Sequence, residues 1–168
     1  VELGGTLKNI IAIGAGMIDG LNYGDNAKAA FVTRGLTEMS ALSLALGASP
    51  LTLSGLSGLG DLIATCASSL SRNHFVGYQL STGKSMEEIR HALGSEVSEG
   101  VTTTAAVHDI ARRLKLEMPI TERLYGVLYR SANPRQIIAE ILGIEGRHEL
   151  AGRRWSLFSL LGRSRSRK

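Results

Sequence analysis

Apolar residues along this chain recur at three- and four-residue steps, and no stretch sustains the alternation of apolar and polar positions that a half-buried strand requires. That property confines the fold to helices. The clearest case is 26–46, where Val32, Leu36, Met39, Leu42 and Leu46 share a face, Asp25 or Asn26 can cap the start and Gly47 can end it. Residues 2–21 are expected to be helical despite Gly4, Gly5, Gly14, Gly16 and Gly20. Gly16 and Gly20 lie on one face a turn apart, which marks either a close contact at a site or subunit interface or ordinary tight core packing.

Further along, Ser49-Pro50 is expected to begin a short helix, and Asp61 to Cys66 to open another after a run of glycines. Residues 71–81 follow with Ser71 as a cap, then 86–93 behind the capping box Ser85-Met-Glu-Glu88. Thr102 to Leu114 is amphipathic, Pro119 sits in the first turn of 119–130, and Asn133-Pro134 starts a helix stopped by Gly143. The expectation is an all-α, compact domain of roughly eight helices with short connections.

The 168 residues and 43% hydrophobic content suffice for one domain with its own core. Val1 in place of a start methionine points to a piece of something longer or a processed product. Cys66 is the sole cysteine, so a reducing, cytoplasmic setting is expected. The longest uncharged apolar run, Asn9 to Ile18, is too short to span a bilayer.

The formal charge of +4 is unevenly spread. Residues 147–168 hold six arginines and Lys168 against Glu149 alone, a net +6, which leaves −2 for the remainder. A basic nucleic-acid-binding face on the body is therefore not expected. Two regions follow: a helical domain over 1–146 and a basic, flexible extension over 147–168. The extension carries Trp155 and Phe158 among leucines and arginines, a composition suited to a solvated tail, an anionic membrane surface or nucleic acid.

Several chemistries find no support. His74, His91, His108 and His148 are scattered, without the spacing of metal ligands, and Ser57 has no nucleophile frame. Gly14-Ala-Gly16 has no preceding strand, and Gly55, Gly58 and Gly60 run in the wrong order for a dinucleotide fingerprint. Cys66, in an apolar helical setting, reads as a buried structural thiol. Two features remain. Lys8 is set in an otherwise apolar helix, where it must snorkel, find a partner or shift its pKa. The stretch Gly55–Asn73 combines small residues, hydroxyls at Thr65 and Ser71, the acid Asp61, and Arg72-Asn73. That inventory suits a small anion such as phosphate, or a plain Gly/Ser-rich helix connection.

These residues carry a resemblance. Val1-Glu-Leu-Gly-Gly-Thr-Leu-Lys8-Asn9, Gly24-Asp25-Asn26, Thr33-Arg34-Gly35, Gly58-Leu-Gly-Asp61, Thr65-Cys66, Ser71-Arg72-Asn73, Glu99-Gly100-Val101 and Met118-Pro119-Ile120 occur in order. Over about residues 1–143 the chain resembles the C-terminal domain of NAD(P)-dependent glycerol-3-phosphate dehydrogenase, bacterial type. The resemblance implies a helical domain like that of 6-phosphogluconate dehydrogenase, with the Rossmann domain outside this chain. It implies interconversion of dihydroxyacetone phosphate and sn-glycerol 3-phosphate with NAD or NADP, in a homodimer.

Residue by residue, it makes Lys8 the proton donor and acceptor and Asp61 the acid that holds Lys8 and substrate. Thr65 matches a threonine of the same segment, and Ser71, Arg72 and Asn73 match the phosphate-binding residues. Arg72, Val97 and Glu99 match positions that touch the cofactor. The family's usual Val-Val-Glu-Gly stands here as Val97-Ser98-Glu99-Gly100. Because the glycine fingerprint is absent, the chain alone is expected to be inactive. The alternative is an orphan helical module that serves only in binding or assembly.

Overall fold

A computed structural model describes residues 2–48, 56–94 and 98–143. Eight helices occupy them: α1 (Glu2–Gly20), α2 (Asp25–Ala45), α3 (Leu56–Ala67), α4 (Arg72–Ser81), α5 (Met86–Ala92), α6 (Glu99–Leu114), α7 (Pro119–Arg130) and α8 (Pro134–Leu142). No strand occurs among the described residues. The expected start of a helix at Ser49-Pro50 and the extension 147–168 lie outside them.

Helix α1 is the axis of the fold. From Asn9 to Ile18 every residue is buried, so the helix is enclosed on all sides. Its neighbours are α4, packed along most of its length, and α2, α3 and α6. The glycines make the α1–α4 contact possible. A methyl group added at Gly77 of α4 would be driven into the carbonyl of Ile13, and one at Gly16 into the carbonyl of His74. One at Gly20 would meet the Ser81 hydroxyl first and the Tyr78 carbonyl next. The Gly16/Gly20 face is thus intrachain packing, the plainer of its two readings. Elsewhere on α1, the space at Gly14 is filled by the fully buried ring of Phe31 from α2.

Local signals set many of the helix ends. Ser71 Oγ accepts from His74 N–H at 3.3 Å, and Asn133 Oδ1 accepts from Arg135 and Gln136 N–H. The Ser85–Glu88 capping box forms in both directions. Gly47 and Gly143 follow α2 and α8 with φ of 79° and 70°, the left-handed geometry that closes a helix.

Three expectations fail. Helix α2 takes no side-chain cap: Gly24 is at its start, and Asp25 lies inside the first turn, 3.5 Å from Lys28. Helix α3 begins at Leu56 and runs through Gly58 and Gly60 instead of opening at Asp61. Helix α6 begins at Glu99, ahead of Thr102, because its first turn is completed by a side chain from α4.

A second borrowed cap serves α7. Pro119 has no N–H, and the next two amides, of Ile120 and Thr121, donate to the Glu38 carboxylate of α2, as does the Thr121 hydroxyl. Burial pushes the Glu38 carboxyl above its ordinary range, and the donors from Ile120 and Thr121 oppose that rise. Glu38→Ala is expected to cost about 2–5 kcal/mol, because two buried N–H groups lose their acceptor; urea denaturation measures it. The packing account makes a paired prediction. Gly77→Ala should destabilise by about 3 kcal/mol or more, since backbone must move. Gly60→Ala, where an added methyl meets nothing within 4 Å, should stabilise by about 0.5–1 kcal/mol through helix propensity. Equal effects of the two glycine substitutions in urea denaturation would contradict the packing account.

Candidate active site

Two polar groups break the buried surface of α1 near its start. Lys8 keeps 24% of its side chain exposed, and its Nζ lies 2.5 Å from Asp61 Oδ2, brought from α3 across 53 residues. The lysine has therefore found a partner, one of the three outcomes open to it. Asn9, next to it, is buried and donates through Nδ2 to Glu99 Oε2 at 3.2 Å.

The second half of the site is the start of α4. Ser71 is committed to capping, Arg72 is exposed in the first turn, and Asn73 is buried. Asn73 Oδ1 accepts from the Gly100 N–H at 2.9 Å and from the Ser98 hydroxyl. The halves converge at Gly100: a methyl there would stand 2.5 Å from Asn73 Oδ1 and 2.8 Å from the Asn9 carbonyl oxygen. The first turn of α6 thus touches the neighbour of Lys8 and the neighbour of Arg72 at once.

The expected residues do not all stand alike. Lys8 and Asp61 form a pair, and Asn9, Asn73 and Glu99 join through α6. Thr65 lies one turn beyond Asp61, but its hydroxyl donates to the Asp61 carbonyl at 2.7 Å, so only its lone pairs face outward. Val97 lies outside the described residues. Cys66 is buried, and burial pushes its thiol up to about 12, which suits a structural thiol.

Sequence reasoning missed Asp19, His74 and Ser98. Asp19 Oδ2 lies 2.8 Å from His74 Nε2, and both Asp19 oxygens lie 2.9 Å from Lys28 Nζ. These contacts pin the start of α4, with Arg72 and Asn73, to α1 and α2. The only signal was an acid closing an apolar helix. Burial alone would raise the Asp19 carboxyl, but bonds from His74 and Lys28 outweigh it and hold the group below its ordinary value of 3.8. Burial alone would lower Lys28, but Asp19 and Asp25 raise it above 10.5.

Residues 1–139 match the family described as NAD-dependent glycerol-3-phosphate dehydrogenase C-terminus. The chain belongs to that family. A glycerol-3-phosphate dehydrogenase (NAD(P)+) of Dehalococcoides mccartyi is 58% identical over 168 residues, covering 100% of this chain and 46% of that protein. One from Halalkalibacterium halodurans is 52% identical over 150 residues, 89% of this chain and 43% of that protein. The crystal structure of glycerol-3-phosphate dehydrogenase from Coxiella burnetii superposes with a TM-score of 0.80 at 42% identity, covering 84% of this chain and 43% of that one. The chain spans about half the length of the curated relatives it matches.

The pinning contacts of this dehydrogenase-family domain carry a pH prediction. A lowered Asp19 adds stability that is complete above pH 3.8 and is lost as pH falls through its folded value. A raised Lys28 adds stability that is complete below pH 10.5 and is lost as pH rises through its folded value. Asp19→Asn should therefore lower stability near neutrality by about 1–3 kcal/mol and narrow the gap to the parent protein in strong acid. Urea denaturation across a pH series measures both.

Proposed function

We propose that this chain is the substrate-binding and proton-transferring half of an NAD(P)-dependent glycerol-3-phosphate dehydrogenase, interconverting dihydroxyacetone phosphate and sn-glycerol 3-phosphate. The observation that carries the reading is the 2.5 Å Lys8–Asp61 pair, linked by way of Asn9 and the first turn of α6 to Asn73 and the start of α4. A cation poised for proton transfer and a set of anion-binding groups are what a phosphorylated ketone requires.

In the reducing direction, negative charge develops on the C2 oxygen. The Lys8 ammonium stabilises that charge and delivers a proton to it, while Asp61 orients the amine. In the oxidising direction the neutral amine takes the proton back. Arg72 and the Nδ2 donors of Asn73 hold the phosphate, which fixes the carbonyl relative to Lys8 and removes orientational freedom before the reaction. The side chains present fit an edge contact with a dinucleotide: Arg72 and Glu99 are exposed at the first residues of α4 and α6. When bound, NAD or NADP supplies or accepts the hydride. The principal cofactor domain lies outside this chain, a reading that the half-length match supports. Residues 1–146 act as the working domain, with 147–168 as a basic extension. A homodimer in the reducing cytoplasm completes the reading, and the buried, unpaired Cys66 suits that compartment.

Steady-state reduction of dihydroxyacetone phosphate, with a cofactor domain joined upstream, tests this. Lys8→Ala should lower kcat by about 10²–10⁴-fold with a smaller change in KM. Arg72→Ala should raise KM by about 10–100-fold, the loss of a charged hydrogen bond to phosphate. Full turnover by Lys8→Ala would overturn the assignment.

A further inference from the structure

Ser98 stands immediately before α6, where a serine hydroxyl ordinarily accepts a hydrogen bond from the second or third N–H of the helix. It accepts none here. Its hydroxyl donates instead to Asn73 Oδ1, and the N–H of Gly100, second residue of the helix, donates to the same oxygen. Asn73 has taken the serine's place as the cap of α6, and the serine is turned onto Asn73. Both side chains lie in the interior, with Ser98 3% and Asn73 8% exposed.

We propose that Ser98 is a positioning residue for the phosphorylated substrate, locking the Asn73 carboxamide with its oxygen toward α6 and its two N–H donors toward the ligand. The proposal rests on the reading that Asn73 binds phosphate. The orientation follows from chemistry. The Gly100 N–H can only donate, so the atom facing it is the oxygen. The Nδ2 donors have no partner among the described residues, and they are not among the buried atoms left unbonded.

A reversed carboxamide would present its oxygen to an anion that offers only acceptors, replacing attraction with repulsion. The terminal torsion of asparagine is broad and roughly two-fold, so one backbone donor restrains it weakly. The Ser98 hydroxyl supplies the second restraint.

The test is a double-mutant cycle in the enzyme with its cofactor domain joined upstream. KM and kcat for dihydroxyacetone phosphate are measured for the unsubstituted protein, Ser98→Ala, Ser98→Thr, Asn73→Ala and the Ser98→Ala/Asn73→Ala pair. Ser98→Ala should raise KM about threefold to tenfold, the loss of one hydrogen bond, with kcat within about twofold. Ser98→Thr should restore the parent KM. Against Asn73→Ala, the serine substitution should add nothing, because its effect runs through Asn73.

An unchanged KM in Ser98→Ala, or the same increase in both backgrounds, overturns the proposal. An unsubstituted protein that reduces no dihydroxyacetone phosphate overturns the functional reading instead. The orientation is then read from the Asn73 Nδ2 resonances on adding inorganic phosphate. Shifts in the parent and Ser98→Thr but not in Ser98→Ala support it; equal shifts in all three, or none in any, sink it.

Discussion

The contact between α1 and α4 at Gly16 and Gly77 is the constraint on which everything else rests. Each glycine faces a carbonyl of the opposite helix, so the two backbones approach as closely as helices can. Lys8 is on one of these helices, and Arg72 and Asn73 are on the other. Their spacing is set by main chain on main chain rather than by flexible side chains. The proposed reaction, in which a carbonyl must meet an ammonium while a phosphate is held elsewhere, needs that kind of rigidity.

Charge reinforces the same contact. Asp19 ties α1 to the start of α4 through His74 and to α2 through Lys28. Its neighbours repay the cost of burial, as the depressed carboxyl shows. The Lys8–Asp61 pair is different in kind. Asp61 keeps 53% of its side chain exposed, so the pair is screened by water and contributes little to stability. One ion pair holds helices together, and the other leaves a partnered lysine open to water.

Much of the fold was legible because its signals are local. The Ser71 and Asn133 caps, the Ser85–Glu88 box and the Gly143 stop are each decided within a few residues, and each formed. Helix α2 formed where its periodicity predicted, but its buried face is Phe31, Gly35, Met39 and Leu42, and Leu46 is exposed. The failures have separate causes. The start of α6 is decided by Asn73, 27 residues away, and no local window holds that information. The α3 boundary was misplaced because Gly58 and Gly60 read as breakers, although a helix tolerates them at a modest cost. At the site, composition alone marked Lys8 and the Arg72-Asn73 pair as unusual but could not join them. The resemblance supplied the partnership with Asp61. Ser98 drew attention only as a departure from a pattern, and its direction toward Asn73 was visible only in three dimensions.

Glu38 carries this theme into folding. Helix α7 opens with a methionine that caps nothing and a proline that has no N–H, and its next two amides are completed by a carboxylate more than 80 positions earlier. The turn is local in sequence and remote in its energetics. A fragment holding only α7 and α8 would keep its apolar stripe yet fray at its first turn, since the groups that finish it arrive with α2. The beginning of α7 is therefore a tertiary contact, assembled on the timescale of chain closure rather than of helix winding.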